Sequence, residues 1–185
     1  MNYYSNVISE NKYTDFIFKW VVDVIIVIMF ALFFVTVIAH KEKVDGSSMS
    51  PTFETGDEVL VNELSFGILS PSRFDVIAFN VGDQTYLKRV IGLPGETLQI
   101  IDGNVYINGE KITFKAKSDP IVSPGLAQDK ITLGENEYFV LGDNWNNSED
   151  SRFSYIGNVN KKEIIGKAWF ILSPFSNLGF IADSI

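Results

Sequence analysis

The 185-residue chain contains no cysteine and only one histidine. The first absence excludes disulfides, thiolate metal sites and cysteine nucleophiles. The second leaves only His40 for a serine, histidine and aspartate triad or a histidine zinc site, and His40 stands at the end of an apolar run, where it marks a water boundary rather than a catalytic base. Neither a metal nor a cofactor is expected. Positive charge is short as well, with 15 Lys and Arg against 23 Asp and Glu and a net charge of -8. Without clustered cations to neutralise phosphates, nucleic acid is excluded as a partner. No internal repeat occurs, and beyond the N-terminal segment no long helical period competes with short β-type runs.

Apolar residues, 46% of the chain, crowd toward the N-terminus. From Trp20 to Ala39 the only charge is Asp23, and the uncharged part from Val24 to Ala39 approaches the roughly 20 residues that span a bilayer. A transmembrane helix is the expectation. The competing reading is a cleavable signal peptide with Val37 and Ala39 as the small residues before the cut. The preceding segment argues against it, because Glu10, Lys12, Asp15 and Lys19 mix both signs instead of giving a basic start. Lys12 and Lys19 on one flank match Lys41 and Lys43 on the other, so charge leaves the orientation open. The division that follows is a short tail over 1-19, an anchor over 20-39, and one domain of ordinary size over 40-185.

That domain reads as mainly β. Short runs recur: DEVLV from Asp57, DVIAF from Asp75, TYLKRVI from Thr85, TLQII from Thr97, NVYIN from Asn104, EYFVLG from Glu137 and KAWFILS from Lys167. Asp102-Gly103 between two of them predicts a tight hairpin over Thr97 to Asn108. The strand count suits packed antiparallel sheets or a partly open barrel. Phe114 to Lys130, with prolines, a glycine and scattered charges, reads as a surface loop, and the apolar tail from Leu178 to Ile185 is too short to cross a membrane.

With histidine and cysteine removed, hydrolysis needs another base. A lysine serves if burial lowers its pKa from about 10.4 to near neutrality, at a cost of about 4 kcal/mol. Lys88 lies in Tyr86-Leu87-Lys88-Arg89-Val90-Ile91, where alternation lets it point inward while Arg89 points away. Gly46-Ser47-Ser48-Met49-Ser50-Pro51-Thr52 supplies hydroxyls in a tight turn of small residues, the setting of a nucleophile beside backbone amides, although such a stretch more often only makes a turn.

The four segments VDGSSMSPTF, GDEVLV, YLKRVIGLPGE and GDNWNNSEDSR resemble, in order, the motifs of bacterial type I signal peptidases. The resemblance extends through GKAWFILSPF and covers nearly the whole chain. It implies a signal-peptidase-like β domain with one N-terminal transmembrane helix, acting outside the cytoplasm on signal peptides of exported preproteins at the lipid bilayer. The anchored protein would be single-pass in the cell membrane with a cytoplasmic N-terminus.

By the same resemblance, Ser48 before the methionine is the nucleophile and Lys88 the general base. Ser148 would hydrogen-bond and orient the lysine, with Asp150 and Arg152 shaping the site through charge pairing. Met49, Phe53 and Tyr86 fall where the family lines shallow substrate pockets, and each fits a core position equally well. One oxyanion donor would be the Ser48 N-H. Some members add a serine two positions earlier, where this chain has Gly46, so the second donor is unassigned. Two departures touch the last motif: Trp145 replaces the usual arginine, and Phe153 to Gly157 holds two extra residues.

Two rivals have different chemistry. A signal-peptidase-like assembly or chaperone factor, for instance for pili, would keep the fold without the reaction, yet Ser48 and Lys88 are both present. A self-cleaving repressor would share the dyad, but the apolar run speaks against it, and no DNA-binding helical segment precedes the catalytic region. An exposed apolar surface is also expected on the β domain near the anchor.

Overall fold

The computed structural model describes residues 3-64, 69-113 and 119-181, with side chains in the N-terminal helix described for residues 13-30. The chain divides into two units, Met1–Ile38 and Ala39–Ile185. The first is a single helix, α1 (Tyr3–Ile38). Its start lies well before the apolar run, because the polar residues from Tyr3 onward include neither proline nor glycine to stop it. Among the described residues no helix is long and apolar enough to cross a membrane. The second half of the run, residues 31-39, lies outside the described side chains.

Among its described residues the second unit is mainly β, with short 3₁₀ turns between strands. The larger antiparallel sheet has the order β1 (Ala39–Lys43), β2 (Glu58–Asn62), β11 (Ile164–Ser173), β3 (Val76–Val81), β4 (Gln84–Gly92), β9 (Glu137–Leu141) and β10 (Val159–Asn160), with β12 (Gly179–Phe180) also on β11. The smaller sheet runs β7 (Glu110–Lys111), β6 (Asn104–Ile107), β5 (Thr97–Ile101) and β8 (Ile131–Thr132). All seven strands expected from the sequence are present. Of the other five, β7, β8, β10 and β12 are two residues each, too few for a period of two to show, and β1 (AHKEK) follows directly on the apolar run without apolar alternation of its own.

At the predicted hairpin, Asp102 and Gly103 both take positive φ (49° and 73°), as a two-residue turn matched to strand twist requires. Three apolar clusters fill the unit. One gathers Met49, Phe53, Val59, Val61 and Val76, a second Ile91, Leu98, Ile121 and Phe139, and a third Ile77, Phe79, Val90 and Val140. The first lies under the turn around Ser48, and β4 feeds both others, so the motifs rest on rigid strands.

The expected surface loop is corrected in part. Residues 114-118 lie outside the description, but Ile121 and Ala127 are buried, and the segment makes a single 3₁₀ turn at Gly125–Gln128. It is fastened to Arg152, whose carbonyl accepts from Leu126 N (2.9 Å) and whose Nη1 donates to Ser123 O (3.2 Å). These contacts are non-local and leave no local period to read. Of the C-terminal tail, described as far as Ile181, Ile181 is buried and its N-H bonds to Trp169 O. An aromatic patch is nevertheless exposed beside it. Phe175 is 92% and Phe180 78% exposed, the latter ring lying 5.2 Å from Phe170 and 5.8 Å from Trp169.

Candidate active site

Strand β4 is where two cations part. Ile77 faces Lys88 and Val76 faces Arg89 across the β3–β4 ladder, and the alternation of β4 sends these two side chains to opposite faces. The expectation that Arg89 points away is corrected: it is 1% exposed and enters the interior, because Asp143 is there to pair it, with Nε and Nη2 gripping both Asp143 oxygens (2.9 and 2.8 Å) and Nη1 donating to Phe74 O (2.7 Å). Thr52 completes the cluster by donating to Asp143 (2.5 Å). This pair ties the segment after the Ser48 turn to the loop after β9, a role the sequence reading did not assign.

Lys88 points the other way, into a groove of about 840 Å³ lined by Gly46, Ser48, Met49, Tyr86 and Ser148, among others. Its Nζ donates to Ser48 Oγ at 2.7 Å. Only 4% of the residue is exposed, and burial lowers the pKa from 10.5 to about 8, against the opposing charges of Asp150, Glu149 and Asp143. Desolvation wins because ammonium loses its water shell while the three carboxylates give back only part of the cost. The two residues are 40 positions apart in sequence and share one hydrogen bond.

The nucleophile turn is held from two directions. Ser50 N bonds to Ser47 O (3.1 Å), and Phe53 N to Met49 O (3.0 Å). From the loop after β9, Asn144 N donates to Ser48 O (3.0 Å) and Asn144 Nδ2 to Ser47 O (3.1 Å). Gly142 permits this approach: a Cβ there would collide with the Ser148 hydroxyl and the Ser48 carbonyl. Gly142 and Asn144 are readable only as members of a motif, because what demands them is the distant turn.

Ser148 lines the same groove, but its hydroxyl donates to Asp150 (2.8 Å) and not to Lys88. Its link to the lysine is indirect, through Asp150, whose charge raises the Lys88 pKa against burial. Asp150 and Arg152 form a buried two-point pair, Nε to Oδ1 at 2.8 Å and Nη2 to Oδ2 at 2.9 Å, and Arg152 also donates to the carbonyls of Trp145 and Ser148. Burial makes this pair different from the weak exposed kind. Trp145 is half-buried against the second cluster.

Of the expected pocket residues, Met49 and Tyr86 line the groove, whereas Phe53 is fully buried in the first cluster and does not reach it. Phe53 lies on the inner side of its turn, where core packing claims the ring. Phe153, from the segment with two extra residues, lines the groove instead. His40 takes no part: it is on β1, paired opposite Val61, with its side chain 56% exposed. Among the described residues no cluster of His, Cys, Asp and Glu could hold a metal.

The family model described as signal peptidase, peptidase S26, matches residues 17–173. The chain belongs to this signal peptidase family. It is 35% identical over 172 residues to signal peptidase I S of Bacillus subtilis (strain 168), covering 88% of this chain and 92% of that one. Against signal peptidase I V of the same organism it is 39% identical over 136 residues, with 67% and 80% covered. Against a probable signal peptidase I-2 of Synechocystis it is 31% identical over 156 residues, with 80% and 69% covered. As a signal peptidase the chain is a serine peptidase, a hydrolase, and a non-enzymatic assembly factor is not favoured.

Proposed function

We propose that this signal peptidase removes signal peptides from exported preproteins with Ser48 as nucleophile and Lys88 as general base. The observation that carries this is the 2.7 Å bond from a desolvated lysine to a serine hydroxyl at the floor of an open groove. In the neutral form Lys88 accepts the Ser48 proton as Oγ attacks the scissile carbonyl, and the carbonyl oxygen becomes an oxyanion. Collapse breaks the C–N bond, Lys88 returns the proton to the leaving amine, and an ester on Ser48 remains. Water, deprotonated by Lys88, then attacks that ester, and the proton goes back to Ser48 as the signal peptide's carboxylate leaves. Asp150 and Arg152 serve as positioning residues.

The groove suits an extended chain. β9 pairs with β4 only from Arg89 onward, so Gln84 to Lys88 keep one edge without a partner strand among the described residues. An incoming strand fills such an edge with backbone hydrogen bonds. Met49, Tyr86 and Phe153 then bound the space for small side chains before the cut.

The same proposal places 20-39 as a single-pass anchor, its last residue Ala39 already opening β1, with 1-19 cytoplasmic and 40-185 outside. What supports it is the uncharged run from Val24 to Ala39, which approaches the roughly 20 residues that span a bilayer. The aromatic patch of Phe170, Phe175 and Phe180 gives the β unit an apolar surface of the kind a bilayer interface accepts.

The test is cleavage of a preprotein carrying an A-x-A signal by the detergent-purified full chain, beside Ser48→Ala and Lys88→Ala. Cutting after the second alanine, lost in both variants, is expected. Activity surviving in either variant removes the dyad from the mechanism.

A further inference from the structure

An oxyanion needs two donors, and Gly46 offers no side chain for the second. The first donor is in place: among the described residues no backbone carbonyl accepts from Ser48 N-H, so it is free for the substrate oxygen. The residue beside it, Ser47, also lines the groove. Its hydroxyl oxygen accepts Asn147 Nδ2 at 2.8 Å across 100 positions of sequence, while its own proton has no described acceptor. The carbonyl of Ser47 is held by Ser50 N and Asn144 Nδ2, and that of Ser48 by Asn144 N. The peptide unit joining the two serines is thus fixed on the Ser47 side, with one hydroxyl lone pair occupied and one proton left to give.

We propose that the Ser47 hydroxyl is the second oxyanion donor of this enzyme, oriented and polarised by Asn147. No proton is transferred: Ser47 O-H and Ser48 N-H both donate to the carbonyl oxygen as it takes up negative charge, and Asn147 strengthens the hydroxyl as a donor by bonding to its oxygen. The assignment rests on Ser48 being the nucleophile. Asn147 is a positioning residue, acting through Ser47.

The experiment compares wild type, Ser47→Ala, Ser47→Cys, Ser47→Thr and Ser48→Ala as full chains in detergent. A peptide aldehyde serves as probe, since its hemiacetal on Ser48 carries the same oxygen. Ser47→Ala and Ser47→Cys are expected to lower kcat about 100-fold, the scale of one lost oxyanion donor. KM and the pH of the acid limb stay put, aldehyde affinity falls in parallel with kcat, and Ser47→Thr, which keeps a hydroxyl, recovers most of the loss. The assignment is overturned if Ser47→Ala and Ser47→Cys keep kcat within threefold. It is equally overturned if kcat falls while aldehyde affinity does not, which would mark Ser47 and Asn147 as a structural latch only. Activity in Ser48→Ala overturns the nucleophile reading itself, a result separable from the others.

Discussion

Lys88 carries a pH dependence whose sign is fixed by its burial. Its pKa is lowered to about 8, and only the neutral amine is a base. kcat/KM should therefore climb about tenfold per pH unit below 8 and level off above it. A rate still rising steeply beyond pH 9 would show that burial does not lower this lysine. Glu149 raises the Lys88 pKa by its charge, is exposed, and donates nothing to the dyad. Glu149→Gln should move the acid limb to lower pH and raise activity at pH 7, read from the same profile.

The same group has a cost in stability. The unfolded chain holds the Lys88 proton up to pH 10.5, the folded chain only to about 8, so stability rises with pH between these values and bears the full penalty below the lower one. At about 1.4 kcal/mol per pH unit the penalty is roughly 3 kcal/mol. Lys88→Met should be inactive yet raise the melting temperature by several degrees at pH 7, with the gain shrinking above pH 8. Equal melting temperatures at pH 7 would contradict that penalty.

At the scale of elements, the site depends on one loop. The segment after β9 contributes Gly142 for close approach, Asp143 to Arg89, Asn144 to the Ser48 turn, and Ser148 with Asp150 to Arg152. Arg152 in turn anchors the segment around Ser123 and Leu126, so a single guanidinium joins two loops and the groove. Arg152→Met should cost about 3 to 5 kcal/mol, because Asp150 would remain as a buried carboxylate without its partner. Urea unfolding would measure it. The Arg152→Met, Asp150→Asn double variant should regain part of that loss, and failure to regain any would mean the pair matters through packing alone.

For the whole molecule, membrane attachment is expected to have two parts, the 20-39 segment and the aromatic patch of the β unit. Deleting residues 1-39 should leave residual flotation with vesicles, and Phe175→Ser with Phe180→Ser in that background should abolish it. Complete loss of flotation on deletion alone would leave the patch without a role at the bilayer.

The sequence determined seven of the strands, the Asp102-Gly103 turn, and the pairing of Ser48 with Lys88 as members of a family's motifs. Each depends on local alternation, local turn chemistry or a short ordered signature. It also pointed, through the same resemblance, to Asp150 and Arg152. Tertiary structure alone decided that Phe53 belongs to the core, that Ser148 bonds to Asp150, that the 119-130 segment is pinned to Arg152, and that Ser47 meets Asn147. These depend on which side of a turn faces inward and on contacts between residues far apart in the chain. Desolvation of Lys88 is of the same kind: alternation gives the side chain its direction, but only the packed groove removes its water.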